Sequence, residues 1–193
     1  MDEKTNKKAI TWLSLAHMAN DTYSGFLNPI MPFIAVKIGF SMAIAAMIMS
    51  IAQICASIFQ PVFGFWADNI LKRTFIFWGL LLGSVCVPFA TNAPNVYILT
   101  VLVILGNLGG SFFHPQALGF ISKFSKGNFV YNMGIFISAG TIGFSFGPIV
   151  SALVTQYFGL ESMAYTSIFG ISVAFLMFNC IPKMSDSSIK IEN

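Results

Sequence analysis

His17, Asn20 and Asp21 stand close together in SLAHMANDTY (residues 14–23), within a segment otherwise suited to lipid. Residues four apart share a helix face, so His17 and Asp21 are neighbours, Asn20 borders them and Asn28 extends the face two turns on. If the helix enters a bilayer near Ala9, a rise of 1.5 Å per residue puts His17 about 12 Å and Asp21 about 18 Å along it. Asp21 then lies near the midplane. An isolated carboxylate at that depth is costly, and intramembrane acids ordinarily face water, a substrate or a partner group. The chemistry expected of this face is the handling of an ion or a polar substrate. The plainer alternative is an Asp–His or Asp–Asn hydrogen bond that only pins two helices.

His114, the other histidine, sits in FFHPQ. Counting back from Lys123 puts it roughly 13 Å from its helix end. The first and fourth helices run in opposite directions, which brings His17 and His114 to similar depth. Asn28, Asn107, His114 and Gln116 are candidates to line a cavity. Asp68 closes the second apolar segment, where the helix's own partial negative charge makes an acid locally unfavourable. It needs a cation or another helix's N-terminus; Lys72 and Arg73 are close in sequence, and the plainer alternative is an ordinary solvated loop pair. Cys55, Cys86 and Cys180 fall in three different segments without CxxC or Cys/His spacing, so neither a disulfide frame nor a metal site is expected. No nucleophile–base pair or phosphate-cradling loop is visible, so neither an enzyme nor a bound cofactor is expected.

The elements that must hold these groups follow from composition. The chain is 56% hydrophobic and 9% charged, against roughly a quarter charged in soluble domains. Charged residues are absent from 38–67, 74–122, 127–160 and 162–182, and a helix of about 20 apolar residues spans a bilayer. Six spanning helices fit, at about 9–36, 42–68, 74–91, 95–122, 129–158 and 161–182, in a single membrane domain over 1–193. Long apolar runs without period-two alternation favour helices over a barrel. The polar residues of the first helix interrupt what could otherwise be mistaken for a signal peptide, so that helix is expected to be retained.

Lys4, Lys7, Lys8, Lys72, Arg73, Lys123, Lys126, Lys183 and Lys190 fall on one side of this arrangement and Lys37 on the other. The basic side is the cytoplasmic one, which puts both termini in the cytoplasm. The net charge of +3 reflects this topology and gives no support to a nucleic-acid partner. Apolar helices in lipid approach through small residues. Gly106 and Gly110 have GxxxG spacing, as do Gly143 and Gly147, with Pro148 following directly and Gly140 one turn earlier. Pro29, Pro32, Pro61, Pro115 and Pro148 suggest helices that curve around a cavity.

GFWADNILKR (64–73) resembles the loop between helices two and three of the major facilitator superfamily, through Gly64, Ala67, Asp68, Lys72 and Arg73; Trp66, Asn69 and Leu71 depart from it. Gly143, Gly147 and Pro148 resemble that superfamily's antiporter motif. The fosmidomycin-resistance branch is closer still. Its first-helix pattern is similar to Ser14, Leu15, His17, Asn20 and Asp21, and its second-helix pattern to Gln60, Pro61, Gly64, Trp66 and Asp68. Its fourth-helix pattern is similar to Gly110, Ser111, Phe113, His114 and Pro115, with Gln116 in place of an acid.

The resemblance implies an all-α integral membrane fold, in which this chain forms one six-helix half built from two three-helix inverted repeats. It implies proton-coupled efflux of a small organic compound through the plasma (inner) membrane. Asp21 would carry the proton, tuned by His17 and Asn20, while Gly64, Asp68, Lys72 and Arg73 form a cytoplasmic gate. The partners implied are the lipid bilayer, a small-molecule substrate, protons, and a second six-helix half or a second copy of the chain. The alternatives are an uptake symporter, or a half that transports nothing alone.

Overall fold

The computed structural model describes residues 6–70 and 72–182; Lys4, Leu71, Lys183 and Lys190 lie outside them. Among the described residues, six α-helices follow one another: α1 (Lys7–Ile38), α2 (Met42–Asn69), α3 (Arg73–Phe89), α4 (Val96–Phe124), α5 (Phe129–Phe158) and α6 (Ser167–Cys180). Short 3-10 turns, Ala90–Asn92 and Leu160–Thr166, follow α3 and precede α6. Local chemistry sets the ends. Asn6 accepts from the Ala9 amide at 3.0 Å and Asn95 from the Tyr97 and Ile98 amides, satisfying donors that a helix start leaves open. Gly39 ends α1 at φ 86°, its N–H donating to the Ala35 carbonyl.

Among the described residues, five helical stretches are long and apolar enough to cross a membrane: Met42–Asp68, Arg73–Asn92, Val96–Phe124, Phe129–Phe158 and Leu160–Cys180. The sequence expectation was six. The remaining helix, α1, has 32 residues and ample length, but His17, Asn20, Asp21 and Asn28 break its apolarity. It touches every other helix in the bundle.

The outward faces are apolar. Val130, Tyr131, Ile142 and Phe158 on α5, and Met47, Ile54, Ile58 and Phe65 on α2, are all exposed, a surface suited to lipid or to another membrane segment and not to water. The principal pairings are α1 with α5, α3 with α4, and α2 with α4. Exchanging α1–α3 for α4–α6 converts the first of these into the last.

Two apolar clusters fill the interior. One includes Leu13, Leu80, Phe113, Phe120, Phe136 and Met177; the other includes Phe26, Ile30, Ile34, Ala45, Leu99 and Met163. Along α1 the polar residues 17, 20 and 21 fall where the first cluster gives way to the second.

The two ends of the bundle differ in charge. At one end the Asn6 amide donates to Phe124 O, and Arg73 Nη1 donates to the carbonyls of Phe178 and Ile181, both at 2.8 Å. Lys7, Lys8, Lys72, Lys123 and Lys126 gather at this end. At the other, Lys37 Nζ donates to Glu161 Oε1 at 2.8 Å and to Thr91 O at 3.1 Å.

Candidate functional site

Asp21 is the centre of the polar cluster. His17 Nε2 lies 3.2 Å from Asp21 Oδ2, and His114 Nε2 lies 3.4 Å from Oδ1. Asn20 Nδ2 donates to Oδ1 at 3.0 Å. The proton-coupling candidates therefore meet, and His114, expected only as a cavity residue, joins them from α4.

His17 is held from α5. Its Nδ1 lies 2.8 Å from the carbonyl oxygen of Phe136, and its ring stacks on the Phe136 ring with centroids 4.0 Å apart. A carbonyl can only accept, so Nδ1 carries the hydrogen of this bond. Nε2 then faces a carboxylate oxygen at 3.2 Å. Two bare lone pairs do not make such a contact favourable; a proton on either atom does, and so does a cation shared between them.

Space for the cluster comes from Gly140. A Cβ there would lie 2.6 Å from His17 Nε2 and 2.7 Å from Asp21 Oδ2. Gly143 and Gly147 continue the same α5 stripe against α1, one facing the backbone of Met18 and the other that of Thr22 and Gly25. The packing role expected of Gly143 and Gly147 is thus a contact with α1. On α4 the outcome differs from expectation. Gly106 and Gly109 press on α3, against Val87 and the Gly79 carbonyl, while Gly110 opens beside Asn20 and His114. A three-residue step keeps the α3-facing pair on one stripe.

An open cavity of about 620 Å³ adjoins the cluster, lined by polar groups that include Ser24, Asn28, Gln53, Gln60, Asn107 and His114. Asn28, Asn107 and His114 line it. Gln116 does not. It is buried, its Nε2 donating to Ile70 O at 3.1 Å and its Oε1 accepting from the Lys72 amide at 3.3 Å, so it ties α4 to the α2–α3 loop.

The expected gate pairing is also absent among the described residues. Asp68 is exposed and makes neither an ion pair nor a hydrogen bond. Arg73 instead satisfies the carbonyls at the end of α6 and lies over the Phe178 ring at 4.3 Å, where a helix end leaves acceptors and partial negative charge. Gly64 faces open space.

Sequence reasoning missed Phe136, which contributes a backbone carbonyl, invisible in residue type, together with a ring stacked on His17. It also missed Gln53 as a cavity residue. Gln53 and Gln60 are seven apart in an apolar helix, a repeat that marks one face and could have found it.

Residues 13–186 match the family model of the Major Facilitator Superfamily. The fosmidomycin resistance protein of Escherichia coli (strain K12) is 27% identical over 156 residues, which cover 79% of this chain and 38% of that protein. The multi-drug resistance efflux pump PmrA of Streptococcus pneumoniae is 24% identical over 123 residues, or 62% of this chain and 30% of that one. Among solved structures, tetrameric PepTSo2 superposes with a TM-score of 0.72 at 18% identity, covering 91% of this chain and 40% of that chain. The chain spans about two fifths of the length of the relatives matched along most of it.

Proposed function

Because the chain belongs to the major facilitator superfamily, we propose that it forms the amino-terminal half of a transporter that exchanges protons for a small organic compound. The observation that carries this reading is the contact between His17 Nε2 and Asp21 Oδ2, made while Nδ1 is committed to Phe136 O. That arrangement can hold a proton between two groups on the helix that runs through the bundle. The cavity beside it is lined by amides and hydroxyls that can bind a polar substrate, and its open side is where a second six-helix half would close it. Substrate would bind between two such halves, as alternating access requires. Efflux is favoured over uptake because two of the matched relatives are named for drug resistance.

The test is uphill transport by the assembled transporter in everted membrane vesicles, with an imposed pH gradient and a panel of fluorescent drugs. Asp21→Asn keeps size and hydrogen bonding but cannot exchange a proton; gradient-driven flux should fall to the passive rate while substrate binding persists. His17→Gln should shift the pH profile without abolishing flux. Normal uphill transport by the Asp21→Asn protein would return the cluster to a structural role, and flux down the proton gradient into right-side-out vesicles would make the protein an uptake symporter.

A further inference from the structure

The polar cluster has a second property, independent of transport. His17, Asp21 and His114 each present one ligand atom, and these atoms all lie within 4.8 Å of one another. We propose that the three side chains form a binding site for one divalent transition-metal ion of the Zn²⁺ class, with an open coordination position facing the cavity.

The donor set is two imidazole nitrogens and a carboxylate, which suits Zn²⁺ and its first-row neighbours and not Mg²⁺ or Ca²⁺. The spacing also fits. A tetrahedral ion with bonds of about 2.0–2.1 Å keeps its ligand atoms about 3.3–3.4 Å apart. The two His–Asp separations, each to a different carboxylate oxygen, are 3.2 and 3.4 Å, and with all three ligand atoms within 4.8 Å of one another a small side-chain adjustment would close the set on one ion. The carboxylate turns Oδ2 to His17 and Oδ1 to His114, so an ion between the rings can take either oxygen or both.

The second observation concerns His17. A metal-bound histidine characteristically donates its other ring N–H to a fixed acceptor, which sets its tautomer and aims the free lone pair. The Nδ1 contact to Phe136 O, at 2.8 Å, does this, and stacking on the Phe136 ring holds the plane. Asn20 plays the matching part for the carboxylate by donating to Oδ1. His114 lines the cavity, which supplies a route for the ion and room for a fourth ligand. Sequence spacing could not disclose the site, because its ligands come from α1 and α4. The ion would replace the proton otherwise held between His17 and Asp21 and release it to water.

Metal binding is measured on the purified, tag-free chain in detergent, with neither substrate nor gradient, so a failure here leaves the transport reading untouched and the converse also holds. Co²⁺ is titrated and followed by its visible ligand-field absorption, then displaced by Zn²⁺ in competition. One ion per chain is expected, with the intense bands of a four- or five-coordinate site. His114→Ala and Asp21→Ala should each weaken binding by more than about tenfold, since losing even the hydrogen-bond partner of a metal ligand costs roughly 10–100-fold. A variant with Cys55, Cys86 and Cys180 all changed to serine should bind as the parent does. The absence of saturable binding, or affinity unchanged in a folded His114→Ala protein, would overturn the proposal. So would binding lost with the cysteines.

Discussion

At the residue scale, His17 is fixed on one side by a carbonyl that can only accept and faces a carboxylate on the other. Its two nitrogens therefore stand differently: Nδ1 aims the ring, and Nε2 faces the carboxylate, where the proposed proton or metal ion would sit. Gly140 makes this possible, since any side chain there would occupy the position of the His17–Asp21 contact. Gly140→Ala should force the pair apart and destabilise the fold by about 1–3 kcal/mol, the range for overpacking a filled interior. Gly134, also on α5, has nothing within 4 Å of where a Cβ would stand. Gly134→Ala is the control and should leave stability unchanged or slightly improved. Thermal unfolding in detergent compares the two, and equal midpoints would mean that α5 yields at Gly140 without cost.

At the element scale, helices are joined by small residues and by a few specific hydrogen bonds, as expected where lipid provides no hydrophobic drive between them. Tyr23 Oη donates to Thr166 O at 2.6 Å and accepts from the Gly170 amide at 2.9 Å, linking α1 to the start of α6. Ser111 Oγ donates to Ala56 O at 2.9 Å, linking α4 to α2. Gln116 does the same for the α2–α3 loop, and it needs both a donor and an acceptor to do so. Gln116→Glu keeps the acceptor for the Lys72 amide but places a buried carboxylate oxygen against the Ile70 carbonyl. The expected cost is at least about 1–3 kcal/mol, the range for a neutral unsatisfied buried polar group, which a charged one exceeds. A spin label at position 70 should become more mobile in that variant. Unchanged label mobility would mean that the loop is held by other contacts.

At the scale of the whole molecule, six basic residues from α1, α3, α4 and the adjoining loops collect at one end of the bundle, and Lys37 binds Glu161 at the other. The charge asymmetry predicts that the end carrying residue 70 is cytoplasmic. A single cysteine at position 70, in a background without the native three, should react with impermeant reagents only from the cytoplasmic side. One at position 94 should react only from outside, and the opposite pattern would invert the orientation. The exposed faces of α2 and α5, together with the open cavity, also predict association. In mild detergent the chain should run as a dimer or require a second half; a monodisperse monomer that moves substrate in liposomes would defeat this.

Composition alone established helices suited to a bilayer, because runs without charge longer than a membrane is thick leave the backbone no other way to satisfy its hydrogen bonds. Helix ends are set locally, by the caps at Asn6, Gly39 and Asn95. Asp21 and His17 could be paired from their spacing on one helix. Their union with His114 could not, beyond a matched depth, because rotation about a helix axis is set by packing against neighbours. The same reason explains Gly110, which GxxxG spacing assigned to a helix contact and packing turned toward the polar cluster. It explains Arg73, drawn from Asp68 to the unsatisfied carbonyls of α6, and Gln116, drawn from the cavity to a loop. Residue types and local spacing fixed what each helix could offer; only the rotation and proximity of six helices decided which offers met.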